Sequence, residues 1–333
     1  MKAYRYVKTV LVFALVLLFP TMIASAEDEI DLSGVSLRVA GADWHNAQGP
    51  IEAAGLTDYA YKVEFSVMQG GNLVMEALAA GQIDLGTGSQ IPPIAASQAA
   101  NGGNFKIIAI RRMNTLNQEL IAGPGKTYAS AADLKGAKVG YVKNTTAHYF
   151  LYKMLAQAGL SWTDIEAVPL TTADGLTALL SGDIDAFASY GNTVRTAKAN
   201  GATTIQSATG ILSGDYYFYA TPAAISDEAT HAAIADYLRR YNDALEWCRQ
   251  NPEAYAEWLA DATNQDYDTV YDNFVSGEAQ TKTCVLPVDD ATIASEQDIV
   301  DVFTALGLIE GSVDIPALYD HSFGDAISAY PQY

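Results

Sequence analysis

Leu78-Ala79-Ala80-Gly81-Gln82-Ile83-Asp84-Leu85-Gly86-Thr87-Gly88-Ser89-Gln90-Ile91-Pro92-Pro93 reads as the end of one helix, a buried strand and the start of another helix. Gly81 suits the left-handed position that commonly closes a helix. Ile83 to Leu85 form a short apolar strand, Gly86 to Ser89 a turn of small residues, and Pro92 and Pro93 fit the first turn of the next helix. Such a turn exposes backbone N–H groups at the carboxyl end of a strand. These, with the Ser89 hydroxyl and the Gln90 amide, make a candidate anion site. Standing alone, the same turn is an ordinary strand-to-helix connection.

The pattern recurs. Ala77-Leu78-x-x-Gly81-x-Ile83-Asp84 aligns with Ala178-Leu179-x-x-Gly182-x-Ile184-Asp185, about 100 residues later. Two copies of a helix, glycine and Ile-Asp strand unit predict two similar α/β lobes with loops at the carboxyl ends of their strands and a ligand between them.

Residues 1–26 have the pattern of a secretory signal: Lys2, Arg5 and Lys8, then the apolar run Val10 to Phe19, then Ala24-Ser25-Ala26. The apolar run is short for a membrane span, and no cysteine near the cleavage site marks a lipid anchor. A soluble exported protein, periplasmic or extracytoplasmic, is therefore expected to start near Glu27. The whole chain has 333 residues and a formal charge of −20, and loss of the basic leader makes it more acidic. That length suffices for two domains with real cores. The acidity argues against nucleic acid and against anionic lipid surfaces as partners. A small anion is not excluded, because charges beyond a Debye length of roughly 8–10 Å are screened while the donors of a pocket are close. Cys248 and Cys284 allow a single disulfide in an oxidising compartment. His45, His148, His231 and His321 lack ligand spacing, so neither a metal nor another cofactor is implied.

The remaining candidates follow along the chain. Lobe 1 is read as residues 27–123 plus 222–333, and lobe 2 as 124–221. The first strand runs into Gly41-Ala42-Asp43-Trp44-His45-Asn46, where Trp44 either covers a ligand's apolar part or fills the edge of the core. Asp43 would suit a zwitterion such as an aminosulfonate, or makes an Asx turn. Gln69-Gly70 precede a helix with apolar residues at helical spacing. Gly123-Pro124-Gly125 is the first candidate hinge, and Asp215 to Thr221 the second segment about which the lobes would rotate. After the strand Lys138 to Val142, Asn144 or Thr145 caps a helix, leaving hydroxyls outward. His148 on its first turn is either an anion donor or packed. The strand Ile184 to Ala188 exits into Ser189-Tyr190-Gly191-Asn192. Tyr216 to Ala220 is an aromatic strand returning to lobe 1, with one of its tyrosines, for example Tyr217, available to a cleft. The helices from Ser226 onward are read as scaffold.

Asn144-Thr145-Thr146-Ala147-His148-Tyr149, Thr87 to Pro93, Ala235-Asp236-Tyr237-Leu238-Arg239-Arg240 and Pro287-Val288-Asp289-Asp290 resemble the periplasmic binding proteins of aliphatic sulfonate importers, within the wider sulfonate, taurine and nitrate group. Ser295-Glu296-Gln297 and Ala305 to Ile309 extend the likeness over nearly the whole chain after residue 26. The resemblance implies a two-lobed type II binding fold, each lobe a mixed, mostly parallel sheet flanked by helices. It implies closure around a small anionic organic ligand, delivery to an ABC permease with its ATPase, and a monomer without enzymatic activity. It places Gly70, Ser89, Gln90, Thr145, Thr146 and His148 at the cleft. The chain departs from the family pattern in two places. Relatives usually have Trp-Asp-Pro where Tyr190-Gly191-Asn192 stands, and a glutamine-bearing loop where Gly41 to Asn46 stand.

In this reading N–H groups from both lobes converge on the anion, each charge-assisted hydrogen bond contributing on the order of 1.5–3 kcal/mol. Trp44, Tyr190 or Tyr217 would cover the organic part. The rivals are the same fold with nitrate, a pyrimidine or an aromatic acid, and a secreted hydrolase. Against the hydrolase, no Gly-x-Ser-x-Gly elbow, His-Glu-x-x-His helix or phosphate loop appears.

Overall fold

A computed structural model describes residues 30–41, 44–68, 71–99 and 102–328. The expected signal segment 1–26 lies outside them, as do Asp43, Gln69 and Gly70. From Asp31 onward the chain forms one compact unit.

The first sheet contains β1 (Ser36–Gly41), β2 (Lys62–Val67), β3 (Leu85–Ser89) and β4 (Lys106–Arg112). The second contains β5 (Gln118–Ala122), β6 (Lys138–Tyr141), β7 (Glu166–Pro169), β8 (Ala186–Tyr190) and β9 (Thr203–Ser207). β10 (Asp215–Ala220) and β11 (Cys284–Leu286) return to the first sheet. The orders are β11-β4-β10-β3-β1-β2 and β7-β6-β8-β5-β9. In the first sheet β2, β1 and β3 are parallel and β10 is antiparallel to both β3 and β4. In the second, β7, β6 and β8 are parallel and β5 is antiparallel to both β8 and β9. Each sheet thus receives from the other a strand that runs against both of its neighbours, β10 in the first and β5 in the second. The architecture is the two-lobed, mixed α/β one that the repeat predicts.

The helices are α1 (Trp44–Ala47), α2 (Gly49–Ala53), α3 (Gly71–Ala79) and α4 (Ile91–Ser97) in the first lobe. α5 (Thr146–Gln157), α6 (Thr172–Ser181) and α7 (Gly191–Ala199) belong to the second. α8 (Pro222–Ser226), α9 (Glu228–Gln250), α10 (Pro252–Thr263), α11 (Tyr267–Gln280), α12 (Asp290–Ala305) and α13 (Gly324–Ser328) follow. Ile234, Leu238, Tyr241 and Leu245 of α9 pack with Leu37, Val39, Ile108 and Phe218 of the first sheet. Leu179 and Val194 cover Ile121 and Phe187 of the second. Burying such aliphatic side chains contributes about 1.5–3 kcal/mol each.

The repeat has a physical basis in both lobes. Gly81 and Gly182 have φ of 65° and 83°. The chain closes each helix through a bond from the next N–H, Gln82 to Ala77 O and Asp183 to Ala178 O, both 2.9 Å. Asp84 then accepts from the Arg38 N–H of β1 at 3.0 Å, and Asp185 from the Lys138 N–H of β6 at 2.9 Å. The aspartates clasp β1 to β3 and β6 to β8.

Four expectations change. The strands begin at Leu85 and Ala186, so Gly86 to Ser89 and Ser189-Tyr190 are strand residues and not turns. Gly86 and Gly88 are admitted there because a side chain would meet Val74, Leu78 and Tyr219, a packing reason invisible to turn propensity. The strand Gln118–Ala122 pairs in the second sheet, so the chain crosses between Arg112 and Gln118, ahead of the expected hinge at Gly123-Pro124-Gly125. Gly123 itself donates to Asp185 O at 3.0 Å inside the second lobe. The return crossing lies between Ser207 and Asp215, because β10 is already paired in the first sheet. Finally, α12 is not confined to lobe 1: Phe303 packs on His148 of α5, with ring centroids 5.6 Å apart, and Asp298 pairs with Lys153 at 2.9 Å. Cys248 and Cys284 are buried thiols in separate clusters and are not joined.

Candidate functional site

A cavity of about 1360 Å³ lies where residues of both sheets meet, lined by Thr87 to Ser89 at the end of β3, Lys143 to Thr146 after β6, and Tyr190 to Asn192 at the end of β8. The parallel strands put these segments at one end of each sheet, where open α/β folds place ligands. Gln118 and Asn117, at the start of the crossing strand β5, complete the wall between the lobes.

Of the expected site residues, Ser89, Thr145, Thr146, Tyr190 and Asn192 line this cavity. The local chemistry of each differs. Ser89 O accepts from the Tyr219 hydroxyl at 2.6 Å, which fixes the end of β3. Thr145 is the N-cap of α5: its Oγ1 accepts from Ala147 N at 3.2 Å and donates to Val142 O at 2.7 Å. Its hydroxyl therefore holds the helix end rather than pointing free. The Thr146 hydroxyl donates to Gln118 Oε1 at 2.8 Å and so ties the second-lobe turn to the crossing strand. Burial pushes the Tyr190 phenol above its ordinary pKa, so it stays a neutral donor. Thr87 contributes a buried hydroxyl with no hydrogen-bond partner among the described residues. A buried hydroxyl left unsatisfied costs about 1–3 kcal/mol, which a ligand acceptor would recover.

The other expected residues sit elsewhere. His148 is buried among Tyr141, Trp162 and Phe303. Its Nδ1 accepts from Asn144 N at 3.3 Å, and burial and the nearby Lys143 draw its pKa down to about 4. His148 does not line the cavity. Tyr217 is fully buried, its hydroxyl donates to Glu296 Oε2 at 2.8 Å, and it does not line the cavity. The Gln90 amide turns into the same network, donating to Tyr217 at 2.9 Å and accepting from Ser213 at 3.0 Å. Trp44 packs on Trp258 of α10, with ring centroids 5.3 Å apart, and its indole N–H donates to Glu52 at 3.3 Å.

Sequence reading missed Lys143, Gln118, Tyr216 and Arg195, all of which line the cavity. Arg195 had a signal: it lies one helical turn beyond Gly191-Asn192 on α7, and residues three or four apart share a helix face. Lys143 immediately precedes Asn144, whose φ of 58° makes the sharp turn into α5.

Fold and cavity define the chain as a two-lobed α/β protein of binding-protein architecture, with the cavity at the carboxyl ends of the parallel strands of both sheets. A family model described as NMT1/THI5 like matches residues 58–255, more than half of the chain, and the chain belongs to that family. A curated Escherichia coli (strain K12) protein, named for aliphatic sulfonate binding, is 28% identical over 256 residues, 76% of this chain and 78% of the relative. The fold is shared with the periplasmic aliphatic sulphonate binding protein SsuA from Escherichia coli, at a TM-score of 0.76 and 24% identity over 85% of this chain and 91% of that one. It is also shared with the alkanesulfonate-binding protein SsuA from Xanthomonas axonopodis pv. citri bound to MOPS, at 0.72 and 22% over 85% and 97%.

Proposed function

We propose that this protein is the exported solute receptor of an ABC importer, that it captures a small organosulfonate-type anion by lobe closure, and that it hands the ligand to a membrane permease with its ATPase. The observation that carries the reading is the cavity wall shared by Ser89 of one lobe and Thr146, Tyr190 and Asn192 of the other. A ligand bonded to both walls favours the closed state by its differential affinity for it. The relative named for aliphatic sulfonate binding supports the chemical class. The role is binding without catalysis. The lobes divide at the crossings 113–117 and 208–214, which serve as the hinges, and the mature protein is a soluble monomer released by cleavage near Ala26.

A thermal-shift panel tests this with alkanesulfonates, taurine, nitrate, sulfate, aromatic acids and pyrimidines. Saturation at a hundredfold excess over Kd stabilises by about 2.7 kcal/mol. Sulfonates should raise Tm, and Ser89→Ala and Thr146→Val should each weaken binding about tenfold or more, through the loss of a charge-assisted bond or of the group that orients one. Thr145→Val is a poorer probe, because losing the helix cap costs about 1 kcal/mol of stability by itself. A shift with pyrimidines or aromatic acids alone would keep the fold and replace the ligand class.

A further inference from the structure

Arg195 is the feature of the cleft that the reading above leaves without a task. α7 is pinned by Val194 and Ala197, both fully buried against the second sheet, and by Lys198, whose ammonium bonds Glu119 at 3.1 Å. That packing leaves Arg195 on the flank of the helix that lines the cavity, half-buried. Its partner is the amide oxygen of Asn192, one turn earlier. Among the described residues no carboxylate lies within ion-pair distance of it.

This is unusual for the molecule. The chain has 39 acidic residues against 19 basic ones. Arg38 pairs with Asp84, Arg112 with Asp215, Arg239 and Arg240 with Asp236, and Arg249 with Glu246. Carboxylates are thus abundant, yet none is placed against Arg195; Arg111, the other arginine on the cavity wall, is buried and donates to the Tyr241 hydroxyl at 3.2 Å. Taking a cation partly out of water without a counter-charge is costly, and burial accordingly draws the Arg195 pKa below its ordinary value. Lys143, exposed on the neighbouring turn, adds a second positive charge to the same wall. Of the carboxylates lining the cavity, Glu278 is taken by Arg249 at 3.3 Å, and Glu76 is exposed on α3 of the other lobe, where water screens it.

We propose that Arg195 is the counter-charge that receives the ligand's acid group, and that it makes this cleft select net-anionic sulfonates over zwitterionic aminosulfonates. This rests on the organosulfonate reading and narrows it. The planar guanidinium offers paired N–H donors to two oxygens of a sulfonate, which an ammonium does not. The ammonium of a short aminosulfonate is held by its two-carbon linker close to the acid group, so it enters the field of Arg195 and Lys143 as a like charge. A second acid group at that position is attracted instead. Asp43, whose carboxylate would suit a zwitterion, predicts the opposite preference.

Isothermal titration of the purified protein with ethanesulfonate, taurine and sulfoacetate, repeated on Arg195→Gln and Arg195→Lys, decides between them. Ethanesulfonate and sulfoacetate should bind at least tenfold more tightly than taurine. Arg195→Gln should weaken both tenfold or more and erase the preference, with the ligand-free Tm unchanged, and Arg195→Lys should fall between. Taurine binding as tightly as ethanesulfonate, or an Arg195→Gln protein within twofold of wild type, would overturn the proposal while leaving a sulfonate receptor. If no sulfonate binds, benzoate and nitrate are titrated next. Arg195-dependent binding of either keeps the counter-charge and removes the sulfonate reading, whereas binding of uracil alone, or of nothing, removes both.

Discussion

In the first lobe Val74 of α3 packs over Gly86 of β3, and in the second Gly175 of α6 lies beneath Phe187 of β8. The positions correspond through the repeat, but the large and small members have changed places. A Cβ on Gly86 would come within 2.7 Å of Val74 Cγ1, and one on Gly175 within 2.0 Å of Phe187 Cζ. Each helix approaches its strand as closely as one missing side chain allows, and which partner gives up the side chain is immaterial. The polar clasp does not vary in this way. Asp84 and Asp185 make the same bond to β1 and β6, at 3.0 and 2.9 Å. The two lobes share a backbone requirement and a volume, and only the first is written in conserved letters between the two copies. At the strand ends even that likeness stops: Ser89-Gln90-Ile91 of one lobe corresponds to Tyr190-Gly191-Asn192 of the other, where the cavity walls begin.

The exchange predicts a strong coupling. Phe187→Ala should cost about 3–5 kcal/mol, as large-to-small changes of buried aromatic residues do. Gly175→Ala alone should cost about 1–3 kcal/mol by overpacking. Placed on Phe187→Ala, however, the alanine enters the space the ring has left, and its own cost should vanish. Urea denaturation of the four proteins gives the coupling energy. Additive effects would mean that helix and strand do not share one volume. Gly86→Ala should cost less than Gly175→Ala, because a valine methyl yields more easily than a buried ring.

A second test asks where the symmetry stops. α12 has no counterpart in the repeat, and Glu296 on it is fully buried beside Tyr217 and Tyr319. Burial pushes its pKa up to about 8, against the Tyr217 hydrogen bond, with Asp215 raising it further. The folded state therefore holds a proton that the unfolded chain releases near pH 4.5. Stability from this group is complete below that value and is lost as pH rises through about 8. Glu296→Gln should stay close to wild type near pH 5 and exceed it by roughly 4 kcal/mol at pH 8, since the amide never ionises. Thermal melts from pH 5 to 9 read this directly, and parallel curves for the two proteins would show that Glu296 is ionised when folded.

The repeat was legible because helix closure by glycine and the Ile-Asp clasp both require particular residues at particular spacings. The strand frame was misread by two residues because Gly86, Gly88 and Ser189 carry turn propensity, while the reason they stand in strands is the packing of Val74, Tyr219 and their neighbours. The lobe boundary was misplaced for a related reason. Gly123-Pro124-Gly125 carries strong punctuation but lies inside the second lobe, whereas the first crossing runs through Met113 to Asn117 with only the φ of 57° at Asn117 to mark it. Of the expected residues that line the cavity, Thr146 stands just after β6 and Tyr190 at the end of β8, positions that the strand pattern places at one end of the sheet. His148 and Tyr217 do not line it, because a polar aromatic residue is as well served by a buried partner as by a ligand, and only tertiary packing decides. Arg195 depends on which flank of α7 faces the cavity, which Val194 and Ala197 settle by burial.

The smallest effect expected concerns the clasp itself. The Lys126 ammonium bonds Asp185 at 2.6 Å and the Lys138 N–H bonds it at 2.9 Å, and together they hold its pKa below the ordinary carboxylate value. A depressed folded pKa contributes stability above the unfolded value of about 3.9 and loses it as pH falls below that point. Asp185→Asn should thus cost about 1 kcal/mol at pH 7, the net worth of a hydrogen bond made to a charged group that is partly exposed. The gap from wild type should close as pH drops from 4 toward 2.5. Asp84→Asn removes the matching clasp, where Arg38 Nε bonds the carboxylate at 2.9 Å in addition to the strand N–H. If the clasp is the shared element of the two lobes, the two substitutions should lower Tm by similar amounts at pH 7. A large loss in one lobe beside a negligible loss in the other would mean that the repeated aspartate survives in the second copy as sequence alone.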